Sequence, residues 1–144
     1  MTIATPVNAT MPREARYAWT SEGRLRDDAT TEHERNLGLL MHLSPLGTFV
    51  LTPAVFLIAP IVWLVKRDDS PYLDDHGREF INYWLSFLVF HLLLGVTVVF
   101  AFLIPVLWIV AIVSMIRASI ATSRNEIFRY PMTIRFLGPR QRAG

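Results

Sequence analysis

Two stretches of this chain, residues 36–65 and 80–116, contain no Asp, Glu, Lys or Arg. They run about 30 and about 37 residues, well beyond the ~18 that mark a candidate membrane span. Only 18% of the 144 residues are charged, against roughly 25% in an average soluble domain. A water-soluble fold would have to bury nearly half its length in such segments, with too little polar surface left to cover them. The pattern excludes an ordinary soluble enzyme domain and a nucleic-acid reader. It points to an all-α integral membrane protein whose first partner is the lipid bilayer.

The net charge of +2 is no nucleic-acid signature, because the basic residues sit beside the apolar blocks, where they orient a membrane protein and meet anionic headgroups. The chain contains no cysteine, which removes disulfide frameworks, thiolate catalysis and Cys-based metal sites.

Proline and glycine divide the apolar blocks. Pro45, Gly47, Pro53 and Pro60 fall in the first, and several prolines in one span favour a break. A helix is expected over 34–49, a turn over 50–52 and a second helix over 53–66, with Pro53 in its first turn. Each piece is only ~20–24 Å long at ~1.5 Å per residue. Residues 66–79 form a charged hinge. In it Ser70-Pro71 reads as an N-cap and first helical residue, with Asp74 and Asp75 near the positive helix end. Tyr83 and Trp84 would then lie at headgroup depth.

The second block is too long for one span, and Pro105 offers its turn, ending the third helix near Ala101 and starting the fourth near Ile104. Ala111, Ser114, Ala118 and Ala121 give the fourth helix a small-residue packing face. Beyond Arg117 the chain turns polar, and Tyr130-Pro131 argues against continued helix. Alternation of Met132, Ile134 and Phe136 against Thr133 and Arg135 predicts an extended interfacial segment over 128–137. The expected organisation is four short transmembrane or re-entrant helices arranged as two hairpins. Residues 1–32 form a disordered cytoplasmic tail, 33–137 the membrane domain and 138–144 a C-terminal tail.

Topology follows from the basic residues. Arg13, Arg16, Arg24, Arg26 and Arg35 precede the first block, Lys66, Arg67 and Arg78 lie in the hinge, and Arg117, Arg124, Arg129, Arg135, Arg140 and Arg142 end the chain. Two hairpins place all of them on one face, as the positive-inside rule requires, with both termini cytoplasmic. A single crossing by the first block would strand five arginines outside.

Asp74, Asp75, His76 and Glu79 form the one cluster that could attract a metal or run acid–base chemistry. Asp75 and Glu79, and His76 and Glu79, share a helical face, and four such ligands could hold a divalent ion. Lys66, Arg67 and Arg78 flank them, which favours caps and ion pairs at the membrane edge, with His76 a solvated imidazole. Opposite charges at the ends of adjacent elements suggest that Arg35, Asp74, Asp75, Glu79 and Arg135 form a network joining the first helix, hinge and C-terminal segment. His42 and His91 are polar islands in apolar blocks, functional or structural. Asn82 reads as glue between helices. His33-Glu34 does not continue into HExxH, and neither a phosphate loop nor a nucleophile–base pattern is present. No cofactor is expected.

Four stretches together carry a resemblance: Glu34-Arg35-Asn36 with His42-Leu43-Ser44; residues 60–68 (PIVWLVKRD); Ser70-Pro71-Tyr72 with Asp75-His76-Gly77-Arg78-Glu79 and Asn82; and residues 130–136 (YPMTIRF). They resemble a family of small bacterial membrane proteins that includes the magnetosome proteins MamF and MmsF and is similar to the four-helix, channel-like subunit of the Tic translocon. The resemblance implies a multi-pass helical protein with no established enzyme activity or cofactor. Trp84 stands where relatives often place glutamine, and the connection at Pro105 is short, so neither favours a polar pathway along the third helix. The leading expectation is a non-enzymatic structural, assembly or interaction protein of the bacterial cytoplasmic membrane, partnered by itself or by other membrane proteins. A homo-oligomeric transport or pore component and a membrane-edge metal-dependent enzyme are the alternatives.

Overall fold

A computed structural model describes residues 16–48 and 50–138, the side chains of 98–100 excepted. Within them the chain forms a short hairpin, β1 (Tyr17–Trp19) and β2 (Leu25–Asp27), followed by four helices. These are α1 (Glu32–Gly47), α2 (Ile58–Lys66), α3 (Pro71–Val96) and α4 (Ile104–Ser123), with 3-10 segments at Pro53–Leu57 and Val98–Leu103.

Helix starts are set by local capping chemistry. At α1, Thr31 Oγ1 accepts from Glu34 N while the Glu34 carboxylate accepts from Thr31 N. This reciprocal capping box satisfies two otherwise orphaned donors, and it moves the start two residues ahead of the expected one. Ser70 Oγ accepts from Leu73 N at α3, with Pro71 in the first turn. Pro105 likewise falls in the first turn of α4. The third helix stops at Val96 rather than near Ala101. Thr97 leaves helical geometry there, and its hydroxyl donates to the Leu93 carbonyl.

At the other end of α4, Asn125 takes a left-handed conformation (φ 61°). Asn125 N donates to Thr122 O and Glu126 N to Ala121 O, the double bond of a Schellman ending. The chain therefore reverses, and residues 126–138 run back along α3.

Packing places α1 most extensively against α4, and α2 against α1 and α3. Gly38 allows the first contact, because a Cβ there would lie 2.8 Å from Thr122 Cγ2. The expected small face of α4 is buried at all four positions, Ala111, Ser114, Ala118 and Ala121. Two apolar clusters result, one around Tyr83, Phe87, Met115 and Tyr130, the other around Met41, Tyr72, Leu73 and Phe80.

Two expectations are corrected. Residues 17–27, taken as part of a disordered tail, pair as a hairpin and continue onto the C-terminal turn through Ile127 N to Leu25 O and Asp27 N to Asn125 O. Arg16 bonds the fully buried Asp27, and Arg24 bonds Glu126 at 2.7 Å, so distant partners supply the order that local composition lacks. Residues 1–15 and 139–144 lie outside the described residues. The 128–137 segment is irregular rather than the extended segment expected, with Met132 at positive φ and Met132, Ile134 and Phe136 all exposed. Helix α3, not a neighbouring strand, satisfies its backbone.

Candidate functional site: a buried polar lock at one end of the bundle

The α3 residues that face inward recur every three or four positions: Tyr72, His76, Glu79, Tyr83 and Ser86. In a helix this spacing puts them on one face, and here that face carries polar groups. The C-terminal segment lies across it. Glu79 Oε1 accepts from Tyr130 N at 2.8 Å. Asn82 holds both backbone groups of Leu137, accepting from its N–H at 2.7 Å and donating to its carbonyl at 3.0 Å. Ser86 Oγ accepts from Ile134 N at 2.7 Å, and Arg78 donates to Gly138 O. Side chains thus provide the partners that buried backbone requires and that a coil cannot provide for itself.

Tyr130 is drawn inward by this ladder. Its ring stacks on Tyr83 with centroids 4.1 Å apart, and its hydroxyl lies 2.7 Å from His42 Nδ1. His42 Nε2 in turn lies 2.8 Å from His76 Nδ1. Burial, with Tyr83 and Glu79 beside it, pushes the Tyr130 phenol well above its ordinary range, so it stays neutral and able to donate. A phenol donating to Nδ1 places the His42 proton on Nε2, which then donates to His76 Nδ1. His76 Nε2 has no partner of hydrogen-bonding geometry among the described residues. The chain of three rings joins α1, α3 and the C-terminal segment.

The candidate cluster on α3 does not converge. Asp74 accepts from Arg78 and from Trp63 Nε1, while Asp75 makes a two-pronged pair with Arg129 at 2.6 and 2.8 Å. That pair holds the Arg129 guanidinium above its usual range. His76 turns to His42, and Glu79 to Tyr130 N with Arg135 at 3.7 Å. Among the described residues no three metal-ligating side chains come together.

Of the expected charge network, Glu79 and Arg135 meet, whereas Arg35 bonds Asn125 Oδ1 at 3.3 Å instead. Packing of α1 on α4 carries Arg35 to the turn after α4, away from the α3 carboxylates. His76 is fully buried, not solvated, and Asn82 grips the C-terminal segment rather than another helix. His91 accepts from Trp108 Nε1 at 3.1 Å, a contact between α3 and α4. Arg129 and Tyr130 were not singled out from the sequence as site residues. The signal for Tyr130 was its place next to Pro131, where the helix cannot continue.

Gly77 completes the site, because a side chain there would overlap the Trp63 indole. Each residue of Asp75-His76-Gly77-Arg78-Glu79 therefore has a distinct tertiary contact. The family described as the magnetosome magnetite crystal formation protein family, MamF and MmsF, matches residues 33–137. The chain belongs to that family. No curated protein and no solved structure matches it. In this MamF/MmsF chain the matched span opens in the first turn of α1 and closes at Leu137, the residue held by Asn82. The β1–β2 hairpin precedes it.

Proposed function

We propose that this chain is a non-enzymatic, multi-pass protein of a bacterial membrane, acting as a structural, assembly or interaction component. One observation carries the membrane reading: polar side chains are buried between the helices while large apolar side chains cover their outer faces. His42, Ser44, His76, Glu79, Asn82, Ser86, Ser114 and Thr122 are buried, while Leu92, Leu93 and Ile109 are each about 60% exposed. In water such an outer surface would drive aggregation; in lipid it is the solvated face. Helices α3 and α4 are both long and apolar enough to cross a bilayer.

The polar interior supports a structural role, since its carboxylates are held by arginines, Trp63 and backbone, and His42 by Tyr130 and His76. Membership in a family described by magnetosome magnetite crystal formation supports a membrane-associated role in assembly. A carbonate wash of native membranes should leave the chain embedded, and elemental analysis of purified protein should find no stoichiometric metal. One zinc or iron per chain, lost in His76→Ala or Glu79→Ala, would overturn the non-enzymatic reading. Crosslinking in native membrane separates a scaffold from a homo-oligomeric transport component.

A further inference from the structure

Arg117 differs from Arg124, the other arginine at its end of the bundle whose side chain makes no ion pair or hydrogen bond among the described residues, in that it lines a groove. It is exposed on α4, on the same outward stripe as Ile109, Val113, Ile116 and Ile120, which are 45–61% exposed. Among the described residues it makes no ion pair and no hydrogen bond. Its neighbours are already matched, Arg24 with Glu126 and Glu22, Arg129 with Asp75. All three arginines nonetheless line one groove of roughly 420 Å³, with Phe128 and with Trp19 at 75% exposure. Arg117 also closes the uncharged run of 80–116, so on the membrane reading the groove lies at the level where hydrocarbon meets headgroup.

We propose that this groove binds the headgroup of an anionic phospholipid, with Arg117 as its phosphate contact. The guanidinium offers a planar fork of donors suited to phosphate, and a counter-ion from outside the protein would balance a charge that the described residues leave unmatched. Arg24 and Arg129 are held in place by their own carboxylates, which leaves Arg117 as the lining cation with no partner among the described residues. The acyl chains lie along Val113 and Ile109. Trp19 stands at the rim, where an indole prefers the interface. The site rests on the membrane placement proposed above and adds to it a preferred lipid class.

Native mass spectrometry of the detergent-solubilised full chain provides the test, with phosphatidylglycerol and phosphatidylcholine of matched acyl chains as probes. The wild type should retain phosphatidylglycerol in preference to phosphatidylcholine. Arg117→Gln should lower that retention about five-fold, the effect of one basic residue near an anionic surface. Arg124→Gln removes an equal charge at the same end but outside the groove, and should leave retention near the wild-type level. Equal losses in the two variants, or equal retention of both lipids, would overturn the site. Displacement by inorganic phosphate at the lipid's own concentration would also overturn it, in favour of a small-anion site. A carbonate wash keeps the two readings apart. Release of the wild type would overturn both, whereas firm embedding with unchanged retention in Arg117→Gln would overturn the headgroup site alone.

Discussion

His42 Nε2 and His76 Nδ1 lie 2.8 Å apart across 34 residues of chain, and neither ring is exposed. The pair joins α1 to α3 where both are covered by the returning C-terminal segment. Its worth lies less in the bond itself than in what its loss would leave behind, a buried polar atom without water or partner.

Removing either ring should therefore destabilise the fold by about 1–3 kcal/mol. His42→Ala strands the Tyr130 hydroxyl and His76 Nδ1; His76→Ala strands His42 Nε2. Because both substitutions break the same bond, the double variant should lose less than the sum. Denaturant unfolding in detergent measures this. Strictly additive losses would show that the rings act independently.

Gly77→Ala should be costly although alanine is the better helix former. The added methyl would occupy the position of the Trp63 ring, and moving that ring breaks its 3.0 Å bond to Asp74. Overpacking of this kind costs about 1–3 kcal/mol. Trp63→Leu in the same chain should recover part of the loss, and a double variant no more stable than Gly77→Ala alone would place the strain elsewhere.

The C-terminal segment should be released by Asn82→Leu, which leaves both backbone groups of Leu137 unpartnered. Losing two hydrogen bonds at about 0.5–1.5 kcal/mol each corresponds to an open population larger by roughly five-fold to 150-fold. Arg135 has a half-exposed side chain, so trypsin cleavage after it reports opening. Cleavage at the wild-type rate would mean that Asn82 does not hold the segment.

The hairpin, the turn before α3 and the end of α4 share one end of the bundle, joined by the Arg24–Glu126 and Tyr72–Thr122 bonds. Single cysteines at Ser21, Asp69 and Ser123, all exposed positions, should resist an impermeant thiol reagent in intact cells and react after lysis. Ser70 is a poorer probe, being buried as the α3 cap. Labelling of Ser21→Cys from outside would replace the two-hairpin topology with a three-span one.

Helix starts and the length of the apolar runs were legible in the sequence because they depend on neighbours a few positions away. Ser70-Pro71 and Pro105 each fix a backbone angle or satisfy a donor within one turn, whereas Pro53 opens a 3-10 segment and α2 itself begins at Ile58. The Thr31–Glu34 box is equally local, and it sets the start of α1 two residues before the expected position 34. The C-terminal segment misled for the opposite reason: its alternation obeys a strand's period, yet Glu79, Asn82 and Ser86 take its backbone groups.

Composition and charge spacing alone determined that this chain forms apolar helices with its basic residues gathered at their ends, since burying or solvating a whole segment depends on the segment's own content. Partner choice was decided only in three dimensions. Arg24 finds Glu126 across 102 residues, and His42 finds Tyr130 across 88. Asp75 takes Arg129 while Arg35 turns to Asn125. Charge and polarity are properties of residues, but a hydrogen bond is a property of distance, and the packing of α1 on α4 and the left-handed turn at Asn125 set those distances.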